Sequence, residues 1–432
     1  MMRKLFKAGL LILNLLLLSG CYEALNINYQ AYPLAVGIDR GEEKLYRGTF
    51  VIESSTSGGD SSGIETQILT SEGDTLFEIK SALESALPGV LNFSHTRYLV
   101  FSEEVARSET MAIVLTDAPR FLELRGTHIL LIAKDSAERF LSGLLDEQVG
   151  PERVLDNFMR DAEETGRFPF SRLEEYYESM FGDCIDTVVA LGAFNEAVPE
   201  QEEESGEGAE EGREEGEGSA LAFDSGGHLR AALPNNSQSE AGGFLRTGGL
   251  ASEVSGCALF LDSAMVGELD ATHTKFLQIG RGSFHSGGFT IHREDGSFLA
   301  FRLTQRAAPS LTAEWKEGAV QATFRCYLLC EIYTGRTGGG YEGLYDENGQ
   351  QSYLKEIRSF LENGLSETFR YCCSLGCDPF GVGRSMVGQY ATIGEWKNSG
   401  WRQAIPSMQA RWELDLQVGE PRVEFVEHPD AG

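Results

Sequence analysis

The sequence predicts an α+β protein. It has two mixed α/β halves, the C-terminal one an antiparallel sheet packed against a long helix, joined by a disordered acidic linker. The first observation is an alternation of strand-like and helix-like patterns from Pro33 to Ala190. The second is a composition break, in which Glu200–Gly218 holds ten glutamates against one arginine and is followed by a Gly, Ser, Asn and Ala-rich stretch to about Leu250. Such a segment buries too little apolar surface to offset its ordering entropy. The third lies beyond it, where period-2 stretches at 257–333 and 410–418 bracket a 3.6-period stripe at 354–372.

In the N-terminal half, Pro33–Asp39 is apolar and extended, Arg40-Gly41-Glu42-Glu43 is a turn, and Tyr46, Gly48, Phe50 and Ile52 alternate with polar residues, which makes a hairpin. Asp74 or Thr75 caps a helix through about Ala86, Glu78 completes a capping box, and Pro88-Gly89 ends it. A strand near Arg97–Phe101, a helix from about Glu104, a strand at His128–Ala133 and a helix at Ser136–Leu145 follow. Helices at Arg153–Glu164 and Ser171–Met180 precede an extended stretch at Ile185–Ala190. In the C-terminal half, Cys257–Leu261 pairs with Met265–Leu269, and Phe289–Ile291 with Phe298–Leu303. Ala322, Phe324, Cys326, Leu328, Cys330 and Ile332 share one strand face. Leu354, Ile357, Leu361, Leu365, Thr368 and Cys372 form a helical stripe ended by Gly376. Ala410, Trp412, Leu414, Leu416 and Val418 alternate with polar residues, giving a one-sided strand for that helix to cover.

The chain's 432 residues suit two or three domains. A net charge of −30 opposes binding to polyanions, so nucleic acid is excluded as a partner. Arg3, Lys4 and Lys7 precede the apolar run Leu10–Leu18, which is about half the length a spanning helix needs, so the segment reads as an export signal. Leu18-Ser19-Gly20-Cys21 resembles a bacterial lipobox, in which the cysteine thiol accepts diacylglycerol. The expected organisation is a lipoprotein signal peptide at 1–20, an N-terminal domain at 21–195, the acidic linker at 196–250 and a C-terminal domain at 251–432. Cys21 is the lipidation site, and the mature palmitate-bearing chain is held on the membrane by its acyl chains.

Seven cysteines remain (Cys184, Cys257, Cys326, Cys330, Cys372, Cys373 and Cys377), an odd number that rules out full pairing within one chain. Cys326 and Cys330 are about 13 Å apart along a strand, too far to ligate one zinc. The residues favour free cysteines acting as small core hydrophobes, with a single disulfide or a metal as alternatives. His273, His285 and His292 lack the spacing of a metalloprotease helix, and Gly338-Gly339-Gly340 and Gly381-Val382-Gly383 lack the lysine and context of a phosphate loop. No Gly-x-Ser-x-Gly elbow occurs. The expectation is a non-enzyme with no catalytic residues, no metal and no cofactor.

Several blocks together resemble the Ger(x)C family of spore germination proteins, the lipoprotein C subunits of nutrient germinant receptors. They are Ala35-Val36-Gly37-Ile38-Asp39, the segment Asp74–Phe101 with Phe93-Ser94-His95, and Ala258-Leu259-Phe260 with Met265-Val266-Gly267-Glu268-Leu269. Cys377-Asp378-Pro379-Phe380-Gly381-Val382-Gly383, with Trp396-Lys397, Trp401 and Ile405-Pro406, completes them. From the residues alone, Gly381 and Gly383 permit positive φ or close backbone approach, and Trp396 and Trp401 close the helix-to-strand end of the core, with a direct partner-binding role as the alternative. The resemblance implies a non-enzymatic, lipid-anchored subunit on the outer face of the inner spore membrane, working in spore germination with A-type and B-type membrane subunits of the receptor. Tyr22-Glu23 stands where the family commonly has Trp-Asp, and the acidic linker and the seven cysteines are also departures. The alternative is a solute-binding lipoprotein of an ATP-driven transporter. A charged tether of about 50 residues disfavours it, because it would spoil closure of a ligand cleft between two lobes.

Overall fold

The structure is a computed structural model that describes residues 30–56, 63–121, 124–145, 150–195, 222–223, 229–230, 240–244, 249–293, 296–336 and 347–419. Cys21, the lipobox, Gly338–Gly340 and the acidic run 200–218 lie outside the described residues.

The N-terminal half holds strands β1 (Gln30–Ala31), β2 (Pro33–Arg40), β3 (Tyr46–Thr56) and β4 (Gly63–Gly73), then helix α1 (Leu76–Ser85) and β5 (Val90–Leu91). There follow β6 (Tyr98–Ser102), α2 (Glu103–Ala106), α3 (Thr110–Phe121), β7 (Ile129–Ala133), α4 (Ala137–Ser142), α5 (Pro151–Thr165), α6 (Leu173–Gly182) and β8 (Val188–Phe194). Two short strands, β9 (Ala222–Phe223) and β10 (Leu229–Arg230), precede β11 (Ser252–Leu261), β12 (Ala264–Leu269), α7 (Ala271–Arg281), β13 (Ser286–His292), β14 (Phe298–Lys316) and β15 (Ala319–Arg336). The chain continues with α8 (Glu347–Ser374), α9 (Val382–Val387), α10 (Ile393–Lys397), α11 (Trp401–Ala404) and β16 (Gln409–Val418).

The expected elements form, with shifts of a few residues at their ends. The helix from about Glu104 is broken into α2 and α3. Strand β4 and helix α7 were not expected. The capping box at α1 is offset by one residue: Thr75 Oγ1 accepts from Glu78 N at 3.1 Å, while Glu78 Oε2 accepts from Asp74 N at 3.0 Å.

Among the described residues the strands form a ten-stranded sheet in the order β4-β3-β2-β6-β7-β8-β11-β12-β10-β9, and a four-stranded sheet β13-β14-β15-β16. β2, β6, β7 and β8 run parallel and are covered on both faces, so they read as continuous apolar runs. α1, α3 and α6 pack one face through Ile79, Leu83, Met111, Leu115 and Tyr176. α4 and α5 pack the other through Phe140, Leu141, Val154 and Leu155. The block Ala35–Asp39 docks α4. The Asp39 carboxylate, 6% exposed, accepts from Ala137 N (2.7 Å) and Glu138 N (2.9 Å), and a Cβ on Gly37 would stand 2.8 Å from Leu141 Cδ1.

The four-stranded sheet is antiparallel across β13, β14 and β15, and β16 joins β15 in parallel, from Gln321↔Gln409 to Cys330↔Val418. Ile357, Leu361, Leu365 and Cys372 of α8 are fully buried against Phe324, Cys326 and Leu328, as the stripe and the strand face require.

β8 and β11 pair antiparallel, Phe194 opposite Ser252 and Val188 opposite Leu259, so the two halves share one sheet. The expected linker 196–250 therefore begins and ends on neighbouring strands and does not space the halves apart. Within that range Ala241 is buried, Asn195 Nδ2 donates to Phe244 O (2.8 Å), and β10 pairs β12.

Candidate functional site: the junction of the two halves

The stretch Cys377–Gly383 lies where the C-terminal half meets the entry to β8. α8 ends in a paired turn: Gly376, at φ +76°, donates to Cys373 O, and Cys377 N donates to Cys372 O. This is the C-terminal cap in which Gly supplies the left-handed residue, and the Cys377 thiol donates to Cys372 O at 3.3 Å. The turn delivers Asp378, 1% exposed, into the interface. Its carboxylate accepts from Val382 N (3.1 Å) and Gly383 N (2.8 Å), while its own N donates to Asp186 Oδ2 at 2.6 Å. In return Asp186 N donates to Asp378 O at 3.0 Å.

Arg402 of α11 closes the arrangement. Its Nη1 donates to both carboxylate oxygens of Asp186, at 2.9 and 2.7 Å, and its Nε to Asp183 Oδ1 at 3.0 Å. Asp183 ends α6 in the left-handed region, at φ +58°. Its carbonyl accepts from Trp396 Nε1 at 3.3 Å. Trp396 and Trp401 stack at 5.3 Å, both 2% exposed, so they close the core as the sequence indicated. Gly381 stands at φ +78°, and a Cβ on Gly383 would lie 2.7 Å from both Cys184 O and Trp401 Cζ2. One glycine supplies a left-handed turn and the other a close approach between the halves. Lys134 Nζ to Glu268 Oε1, at 3.0 Å, ties β7 to β12 elsewhere on the shared sheet.

Burial pushes the Asp378 carboxyl up to about 6, despite two backbone donors. Asp186 is also raised by burial, with Arg402 working the other way. Burial disfavours the Arg402 charge, but Asp186 and Asp183 hold its guanidinium above its ordinary value. Arg402, held on Asp186 and Asp183, together with the buried Asp186 and Asp378 carboxylates and their backbone donors, is a fixing device in which the buried Arg402 Nη2 keeps no hydrogen-bond partner and lies 3.8 Å from Asp262 Oδ1.

Of the other residues singled out in the sequence, Cys184, Cys372 and Cys377 border this junction and the histidines do not join it. Cys257, Cys326, Cys330, Cys372 and Cys373 are buried free thiols, and burial pushes Cys257, Cys326 and Cys330 up to about 12, where the nucleophilic thiolate is suppressed. Cys377 is buried and free, and Cys184 is half-buried and free. No group of three or more His, Cys, Asp or Glu among the described residues can hold a metal ion. His273 is buried, and although burial pulls its pKa down, Asp270 at 2.9 Å holds it above the usual value. His292 is exposed on β13, and His285 lines a cleft of about 340 Å³ with Arg172 and Arg281. Asp183, Asp186 and Arg402 were missed by the sequence reading. The one available signal was an arginine beside Trp401 in a segment expected to be core.

The chain is thus an α+β protein of two family-like halves locked across a shared sheet and a buried ion-pair cluster. Its residues 23–192 match the model of the spore germination protein N-terminal domain, and residues 255–421 that of the spore germination B3/GerAC-like C-terminal domain. The chain belongs to the Ger(x)C family of spore germination proteins. It is 26% identical over 195 residues to putative spore germination protein YfkR of Bacillus subtilis (strain 168), covering 40% of this chain and 50% of that one. It is 26% identical over 151 residues to spore germination protein KC of the same organism, covering 33% of this chain and 37% of that one. The chain therefore spans half or less of the length of these curated relatives. A crystal structure of the GerBC protein aligns over 89% of this chain and 96% of that one, with 12% identity and a TM-score of 0.49. Among the described residues no helix is long and apolar enough to cross a membrane.

Proposed function

We propose that this protein is a non-enzymatic, lipid-anchored subunit of a nutrient germinant receptor, acting in spore germination by assembling with A-type and B-type membrane subunits. The observation that carries the reading is the pair of family matches, which flank the acidic segment and together take in most of the chain. The proposed anchor is Cys21, acylated after removal of residues 1–20, which places the folded halves on the outer face of the inner spore membrane. The proposed domains are 21–195 and 251–432, with 196–250 as an acidic insertion. The shared sheet supports this reading over a solute-binding lipoprotein. A binder that closes on its ligand needs a hinge between lobes, whereas here β8 and β11 and the Asp186–Arg402 pair join the halves directly.

The test is capture of the tagged full chain from detergent-solubilised spore membranes, with Cys21→Ala alongside. Recovery of multi-spanning receptor subunits with the unmodified chain, and release of the variant from the membrane fraction, are expected. Recovery of an ATP-driven permease, or of the chain alone with a bound small molecule, would replace the receptor reading with the solute-binding one.

A further inference from the structure

The large sheet has two unlike ends. Because β2, β6, β7 and β8 are parallel neighbours, Pro33, Tyr98, Ile129 and Val188 stand along one end of it. The chain enters at this end, where Gln30 and Ala31 of β1 pair with Val90 and Leu91 of β5. Eight residues lie between Cys21 and Gln30, a reach of at most about 30 Å. The acidic segment leaves and returns at the other end, between Phe194 and its partner Ser252. The two ends are separated by the seven-residue length of β8, about 20 Å, which exceeds the Debye length of about 8 Å at physiological ionic strength.

Three large apolar side chains are exposed at the entry end: Val90 at 56%, Phe181 at 70% and Ile393 at 72%. Phe181 ends α6 just before Asp183, and Ile393 lies one helical turn from Trp396, whose indole reaches the Asp183 carbonyl. Arg125, on the approach to β7, and Lys397 of α10 are exposed at the same end, together with Glu395 of α10, Glu178 of α6, which pairs with Arg384, and Asp262 at the β11–β12 turn. The opposite end also exposes Leu45 (61%) and Phe77 (59%), near Glu42, Glu43, Glu72 and Asp74, of which Glu72 pairs with Arg47 and Asp74 with Lys44. Carrying those carboxylates into a headgroup layer would be opposed by desolvation and by anionic lipid.

We infer that the end of the sheet bearing Val90, Phe181 and Ile393 is seated on the lipid surface to which the N-terminus is tied. The inference rests on the anchor reading above and deepens it by fixing which face meets the membrane. Apolar side chains dip into the interface at the end where the chain enters, while the acidic segment is held on the far side.

A diazirine-bearing residue placed in turn at positions 90, 181, 393, 45 and 77 tests it. The lipidated full chain is carried on vesicles of equal parts phosphatidylglycerol and phosphatidylethanolamine. Lipid adducts at 90, 181 and 393 are expected to exceed those at 45 and 77 at least tenfold, and agreement of three independent sites guards against one substitution that disturbs folding. Equal labelling at both ends, stronger labelling at 45 and 77, or protein–protein adducts in place of lipid adducts overturn the seating while the chain still co-sediments with the vesicles. Loss of co-sedimentation itself overturns the anchor reading, and the seating falls with it.

Discussion

The two halves meet along β8 and β11 and again at Asp186, Asp378 and Arg402, and these contacts distribute their work differently. In the ladder, six residue pairs from Ser252↔Phe194 to Leu259↔Val188 share the contact through main-chain bonds that form whatever the side chain, proline apart. In the cluster, one guanidinium and two buried carboxylates carry it, so one substitution strands a charge away from water. The ladder should tolerate change in the residues that flank it, whereas the cluster should not.

The largest expected effect is therefore at Arg402. Arg402→Ala leaves Asp186, with no exposed side-chain surface, and Asp378 beside it without their counter-charge, and breaking such a pair costs about 3–5 kcal/mol. Urea unfolding at neutral pH measures it. A loss below about 1 kcal/mol would show that the cluster adds little to what the ladder already holds.

Asp378 makes the cluster pH-dependent, with a definite sign. Its folded pKa is about 6, above the roughly 3.9 of an unfolded aspartate, so between these values the folded state holds the proton more tightly. The stability this contributes is present below about pH 4 and is lost as pH rises through about 6, a span of up to about 3 kcal/mol. Asp186 and Asp39 are raised in the same direction by burial. The unfolding free energy should fall from pH 5 to pH 7, and Asp378→Asn should flatten that slope. An upward slope, or an unchanged one in the variant, would remove Asp378 from this role.

Next in size is Gly383→Ala, whose new methyl would meet Cys184 O and the Trp401 ring, each at 2.7 Å. Overpacking of this kind costs about 1–3 kcal/mol. Gly388→Ala is the control, because nothing lies within 4 Å of its Cβ position. Equal thermal shifts for the two variants would mean that the close approach at Gly383 is relieved without strain.

What could be read in advance divides along the same line. The stripe Ile357–Cys372, which begins in the core at Tyr353 rather than Leu354, the strand face Ala322–Ile332 and the capping box at Thr75 were legible because local period and local caps determine them. The motif Cys377–Gly383 was legible as a block, and its glycines as sites of special backbone. Its partners were not, since Asp183 and Asp186 lie about two hundred residues away and are two among 66 acidic residues. The β8–β11 pairing was hidden for a similar reason. An acidic run between two strands reads as a separator, and only strand register reveals that it leaves and re-enters on neighbours. β16 was recognised as one-sided, but alternation carries no information about whether a strand runs parallel or antiparallel to its partner.

The smallest effect is expected where the composition break is sharpest. Phe194 and Ser252 are held side by side by the ladder, with 57 residues between them. Deleting Glu200–Gly218 removes 19 residues and ten glutamates without altering a ladder residue. If those residues contribute only chain length, closing the shorter loop favours folding by about 0.4 kcal/mol, since closure entropy grows only with the logarithm of length. Loss of ten like charges from a chain of net charge −30 acts in the same direction. The deletion variant should unfold within about 0.5 kcal/mol of the full chain, on the stable side, and should keep its pH slope because Asp378 is untouched. A loss above about 1 kcal/mol would mean that the acidic run supports the folded halves directly, and the division of labour would then have to include a third contact.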